Sequence, residues 1–198
     1  SGASGKVKKI EQQNVEPYRY LDVPNTSEVR AIFVDENDWI WYGTSMSGII
    51  LERNGIEENY NTKEGLGDKG QYFFYKTEKG ELWSGGVGLI NRINVSADGQ
   101  LSFDNFKLTA ASSDLPLFQS MFESPNGAVW GASDKGLFTL EEGQLTQWSF
   151  PPPVNPQPIV TGAKIDRHQQ LWLSIQGEGV WQCRFNEKNE PVLVRQWT

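Results

Sequence analysis

The chain has 198 residues, 18 basic and 25 acidic, for a formal net charge of -7 at pH 7. That length suits one ordinary domain or a compact set of repeats, and 8 Trp within 12% aromatic residues mark a folding chain rather than a disordered one. The acidic balance argues against non-specific binding to nucleic acid or anionic lipid; 1 Cys excludes an intrachain disulfide, and 1 Cys with 1 His leaves no zinc cluster of those residues.

In chain order, residues 1–16 read as a tag or linker, opening on the small, flexible Ser1-Gly2-Ala3-Ser4-Gly5. Residues 18–22 read as the last strand of a preceding unit. Four similar units follow. Each places a tryptophan at the end of a ten-residue segment: 32–41 (IFVDENDWIW), 74–83 (FYKTEKGELW), 121–130 (MFESPNGAVW) and 163–172 (AKIDRHQQLW). An aliphatic residue precedes each of Trp41, Trp83, Trp130 and Trp172, and a glycine followed by an aliphatic residue comes shortly after: Gly48-Ile49, Gly88-Leu89, Gly136-Leu137 and Gly179-Val180.

The period within each unit is that of strands. First strands are expected at 29–34, 71–76, 117–123 and 159–165, each followed by four turn-forming residues. Second strands hold the tryptophans. Third strands are expected at 49–53, 89–93, 137–141 and 180–184, and fourth strands at 57–60, 101–107, 144–148 and 192–197. Pro151-Pro152-Pro153, Pro156 and Pro158 exclude a helix before the last unit. Four antiparallel strands in about 42 residues is the signature of a β-propeller blade. The fold class is therefore all-β, with four blades at about 29–60, 71–107, 117–148 and 159–197. The recurrent tryptophans are expected to pack between blades.

The run Asp35, Asp38, Ile40-Trp41-Tyr42-Gly43-Thr44 and Gly48 resembles the core of the two-component regulator propeller repeat, and Tyr60 through Gly65-Leu66 resembles the joint between its blades. The resemblance runs from Pro17 to Thr198. It is close in the first two units and degenerate in the fourth, where Gln169 stands for the turn glycine and Leu173-Ser174-Ile175 for the aliphatic-Gly-Thr run. It implies a sensor region of a hybrid histidine kinase or a membrane-bound diguanylate cyclase, periplasmic or otherwise extracytoplasmic. Such propellers commonly have seven blades, so the chain is expected to be part of a larger one. An open arc of four blades would expose two blade faces and self-associate, whereas a closed four-bladed ring would be monomeric.

A non-catalytic module is expected, with no metal and no cofactor. The lone His168 falls in a turn slot that holds Asn37, Lys79 and Asn126 in the other units. Asp35 and Asp166 share a turn-forming slot, Cys183 reads as a small buried residue, and the glycine-rich Ser84-Gly85-Gly86-Val87-Gly88 joins two strands without the helix and lysine of a phosphate loop. The enzyme alternative is a resemblance to the streptogramin B lyases, propellers with a similar repeat that use a histidine and a divalent cation. A protein-interaction scaffold is the third reading.

Propellers bind at a mouth lined by the loops between second and third strands and those between blades. Here these supply Ser45-Met46-Ser47, Val87, Asp134-Lys135, Gln176-Gly177-Glu178, Asn25-Thr26, Lys63-Glu64, Ser112-Ser113-Asp114 and Asn155. The first-strand starts add Arg30, Gln71, Tyr72 and Gln119. The candidate ligand residues are Arg30, Ser45, Met46, Gln71, Tyr72, Gln119, Gln176 and Glu178, suited by their polar and aromatic groups to a small glycan or a peptide.

Overall fold

Strands rich in β-branched and aromatic residues alternate with turns of Asp, Asn and Gly throughout the chain. The structure is a computed structural model that describes residues 6–11, 14–20, 27–108 and 114–198, the first two segments as backbone only. Lys6–Glu11 (β1) and Asn14–Tyr20 (β2) pair as an antiparallel hairpin. Four four-stranded sheets follow: Val29–Val34 (β3), Ile40–Thr44 (β4), Ile49–Arg53 (β5) and Ile56–Tyr60 (β6); Phe73–Lys76 (β7), Leu82–Gly85 (β8), Leu89–Val95 (β9) and Leu101–Lys107 (β10); Phe118–Glu123 (β11), Val129–Ser133 (β12), Gly136–Glu141 (β13) and Gln144–Trp148 (β14); Val160–Ile165 (β15), Leu171–Ile175 (β16), Gly179–Phe185 (β17) and Pro191–Trp197 (β18). Each sheet is a meander in sequence order, and every pairing is antiparallel. One 3-10 turn, Thr62–Glu64, is the only helical element among the described residues.

These are propeller blades. The first strands are innermost, with β3 beside β7, β7 beside β11 and β11 beside β15. The four sheets form an arc rather than a closed ring. Two expectations fall on the N-terminal hairpin. The stretch to residue 16 read as tag or linker contains β1 and the start of β2; Val7, Ile10 and Val15 suit strands. The expected strand at 18–22 is the end of β2 as far as Tyr20, and Asp22 lies outside the described residues.

Register explains why the blades stack. In antiparallel pairs, directly opposed residues share a face. Trp41 opposes Leu51, and Gly43 opposes Ile49, which opposes Tyr60. The same positions hold Trp83, Ile90 and Phe106 in the second blade, and Trp130, Leu137 and Trp148 in the third. Each blade thus presents a strand-two tryptophan and a strand-four aromatic to the next. Trp41 packs with Leu82 and Ile93 of blade 2, Trp83 with Phe118 and Phe138 of blade 3, and Trp130 with Leu171 and Trp181 of blade 4. Trp83 lies 5.5 Å from Phe106, and Trp130 5.8 Å from Trp148. Phe150 adds a bridge, 4.6 Å from Trp148 and 5.2 Å from Trp181.

The fourth blade differs because no blade among the described residues covers that face. Ile49, Ile90 and Leu137 are at most 1% exposed, but Val180 in the same register position is 39% exposed, and Trp197 beside it 43%. Trp172 is only half-buried. The recurrent tryptophan therefore packs as expected in three units, and in the fourth it is half-buried, with its indole N–H donating to Asp166 Oδ2 at 2.9 Å.

Blades 1 and 2 are also tied by charge. Arg53 donates to both oxygens of Glu58, at 2.7 and 2.6 Å, and to the Gly99 carbonyl of blade 2 at 2.7 Å. The Arg53 guanidinium, with a hydrogen bond from Tyr60, holds the Glu58 carboxyl below its ordinary range.

Two outcomes test this packing. Trp41→Ala, Trp83→Ala and Trp130→Ala should each cost about 3–5 kcal/mol in denaturant unfolding, and Trp172→Ala clearly less, because its face is uncovered. The depressed Glu58 pKa means that its contribution is complete above the ordinary carboxylate range and is lost as pH falls through the lower folded value. Unfolding midpoints measured from pH 7 down to pH 3 should fall less steeply for Glu58→Gln than for the parent chain.

Candidate functional site

The mouth is the end of each sheet where the second strand finishes and the first begins. Its two loop sets meet blade by blade. In blade 1, the Ser45 amide donates to Glu28 O at 2.8 Å while Ser45 Oγ accepts from the Glu28 amide at 2.9 Å; the Met46 amide donates to Ser27 Oγ. Asp134 Oδ1 accepts from the Leu117 amide at 2.8 Å, and Lys135 pairs with Asp114 at 2.9 Å. In blade 4, the Gln176 amide donates to Ile159 O, and Asn155 Nδ2 donates to Glu178 Oε1 at 3.0 Å. Asn25, Thr26, Ser112 and Ser113 lie outside the described residues.

The innermost strands open on irregular backbone. Register shifts fall between Val29 and Ala31 in β3, Phe118 and Ser120 in β11, and Val160 and Gly162 in β15. The skipped residues are Arg30, Gln119 and Thr161. Bulges of this kind re-aim a side chain and are common beside binding sites. Tyr72 occupies the corresponding place in blade 2, its amide donating to Gly85 O at 2.7 Å just before β7 begins. Arg30, Tyr72, Gln119 and Thr161 thus form one column around the inner rim. Arg30 is exposed, pairs with Glu28 at 2.5 Å, and has its guanidinium carbon 5.8 Å from the centre of the Tyr72 ring.

The structure divides the expected residues. Arg30 and Tyr72 come together across the boundary of blades 1 and 2. Met46, 57% exposed, stands on the adjoining loop. Gln119 is half-buried at its bulge, and Gln176 and Glu178 belong to the blade 4 rim. Gln71 is fully buried: its Nε2 donates to Asp68 O at 2.9 Å, and its Oε1 accepts from Asn91 Nδ2 at 3.1 Å. Its side chain is thus held within blade 2, and its amide ties that blade to blade 1 by donating to Thr44 O at 2.8 Å. Thr161, absent from the expected set, completes the column; its Oγ1 donates to Ser174 O at 3.2 Å.

Groups considered for chemistry lie elsewhere. His168 is exposed in the turn at the other end of blade 4, its amide donating to Asp166 Oδ1 at 2.8 Å as the Asn37 amide donates to Asp35 Oδ1 at 2.9 Å. Asp35 and Asp166 also accept the indole N–H of Trp41 and Trp172. Thr77 and Ser124 fill that slot in the other units, where the buried indole nitrogens of Trp83 and Trp130 have no hydrogen-bond partner in the protein. Burial pushes the Cys183 thiol up to about 12, which disfavours the reactive thiolate. In the glycine-rich 84–88 stretch, the Gly86 and Gly88 amides donate to Leu89 O and Pro116 O, so they serve the turn and the next blade. A Cβ on Gly86 would stand 2.0 Å from Gly70 O, so the backbone approach there requires glycine. No group of three or more His, Cys, Asp or Glu suited to a metal occurs among the described residues.

No protein-family model matches the chain, and no curated protein matches it. Solved structures do. It is similar to a streptogramin B lyase (18% identity, TM-score 0.64, covering 96% of this chain and 62% of that one) and to virginiamycin B lyase from Staphylococcus aureus (16%, 0.62, 84% and 55%). It is also similar to PorZ, a surface component of the type-IX secretion system of Porphyromonas gingivalis (15%, 0.70, 99% and 31%). The chain spans less than two thirds of each of these proteins. At such identity the likeness shows a shared fold, the β-propeller. No helix among the described residues is long and apolar enough to cross a membrane.

Proposed function

We propose that this chain is a non-catalytic, ligand-sensing β-propeller module of the two-component regulator propeller kind. It serves a bacterial membrane-bound signalling protein, a sensor kinase or diguanylate cyclase, on the periplasmic or extracytoplasmic side. The observation that carries this reading is the inner-rim column. Three of four innermost strands bulge at the same place, and the residues there (Arg30, Gln119, Thr161) share the rim with Tyr72. A guanidinium, a phenol, an amide and a hydroxyl around one opening suit a small glycan or a peptide. Binding transmits a signal only through different affinities for two arrangements of the receptor.

The lyase reading draws on the similarity in fold to two streptogramin-type lyases. Against it stands His168, in a turn at the far end of its blade from the rim. The test is an array of oligosaccharides and short peptides. For bound members, Arg30→Ala or Tyr72→Ala should weaken affinity about tenfold or more, near 1.4 kcal/mol, and His168→Ala should leave it unchanged. Divalent-cation-dependent opening of quinupristin by the chain, abolished in His168→Ala, would replace this reading with the lyase.

Self-association belongs to the same proposal. The uncovered face of blade 4 holds Trp172, Val180 and Trp197 in the register positions that three other blades use to stack. Two arcs joined end to end, blade 4 of each against blade 1 of the other, would make an eight-bladed ring closed by two-fold symmetry. Light scattering over a dilution series should show a dimer of the 22.3 kDa chain. A single species at the chain mass at the highest concentration would contradict it.

A further inference from the structure

We propose a second binding site, for a neutral carbohydrate, in the cleft between blades 1 and 2 at the end opposite the mouth. The cleft is open to solvent and has a volume of about 370 Å³, lined by Phe33, Trp39, Lys76, Glu81, Arg92 and Asn94 among others. That volume is within the range of small-molecule sites.

Trp39 is the departure from the repeat. The same slot, two residues before the stacking tryptophan, holds Glu81, Ala128 and Gln170 in the other units. In blade 1 the Trp39 ring is half-buried: it packs against the cluster of Trp41, Leu82 and Ile93 and also lines the cleft. Its ring is held in place: the Arg53 guanidinium carbon lies 5.1 Å from the ring centre, and Arg53 is itself fixed by Glu58 and Gly99. The Trp39 amide donates to Asp35 Oδ1 at 3.0 Å, which fixes the backbone beneath the ring. A ring so positioned is a pre-ordered platform, and binding to it loses little side-chain freedom. The apolar C–H face of a sugar ring packs on an aromatic surface of this kind, whose surroundings are wet.

The rim selects the ligand's charge. Both cations are already matched, Lys76 with Glu36, and Arg92 with Glu81 at 3.2 Å and Asp104 at 2.8 Å. With Asp35 added, carboxylates outnumber cations, so phosphorylated or acidic ligands meet a negative rim. Neutral hydroxyls instead find a donor in the exposed Asn37 amide and acceptors in Glu81 and in Asn94 Oδ1, whose Nδ2 already donates to Asp104 at 3.0 Å. The site is separate from the inner-rim column, because it sits at the other end of β3 and β4.

The experiment titrates the full chain with neutral trisaccharides (maltotriose, cellotriose, xylotriose and mannotriose) by calorimetry and tryptophan emission. At least one should bind and shift the emission. Trp39→Ala and Asn37→Ala should each weaken it about tenfold or more. Trp39→Phe should largely retain binding, and Arg30→Ala should leave it unchanged. Asn37 is exposed, so its variant should melt with the parent chain and separate lost binding from lost folding. The proposal is overturned if no trisaccharide binds, if binding survives both Trp39→Ala and Asn37→Ala, or if trilysine binds in the cleft in preference to the sugars.

Discussion

The fold depends on one repeated contact: a strand-two tryptophan and a strand-four aromatic, laid together against the next blade. A single four-stranded sheet has two faces and buries neither alone. Trp41 with Tyr60, Trp83 with Phe106 and Trp130 with Trp148 give each of three blades one aromatic-rich face, and the blade that follows covers it. The glycines at Gly43 and Gly85 belong to the same contact. A Cβ on Gly43 would stand 2.7 Å from the Gln71 carbonyl oxygen, and one on Gly85 2.7 Å from the Phe73 ring. Close approach of strand two to its neighbours thus accompanies the large side chains beside it.

Stacking in that register brings the starts of the innermost strands side by side. This is why Arg30 and Tyr72, 42 residues apart, come within reach of each other. It also separates two ends with different chemistry. The turn end is organised by Asp35 and Asp166, each holding a turn amide and a tryptophan indole. The mouth end is organised by bulges and by exchanged backbone hydrogen bonds between loops. His168 belongs to the first kind of structure and the candidate ligand column to the second.

The blades were legible because the repeat marks both face and turn. Strands β3, β5, β10 and β14 match the expected ranges, and the turn glycines Gly80 and Gly127 have the positive φ expected of them. Gln169 and Asp38 take the same left-handed conformation without glycine, so the degenerate fourth unit folds like the others. The site was only half legible. Alternation along a strand is a two-residue pattern, and one residue of offset sends a side chain to the other face. That offset separates Gln71, buried within blade 2, from Tyr72 on the rim. Bulges add a residue without a sequence mark, so Thr161 was missed. The β1–β2 hairpin was missed because short polar strands look like a linker until their pairing is seen. Trp172 repeats the motif faithfully, yet its exposure depends on whether a neighbour covers it, which its own sequence does not state.

Amide hydrogen exchange resolved strand by strand tests the stacking account most directly. Stacking predicts the slowest exchange in the second and third strands of the covered blades, β4–β5, β8–β9 and β12–β13, with β16–β17 exchanging faster because their outward face is bare at Val180. Equal protection across all four blades, or the slowest exchange in the outer strands β6, β10 and β14, would contradict it.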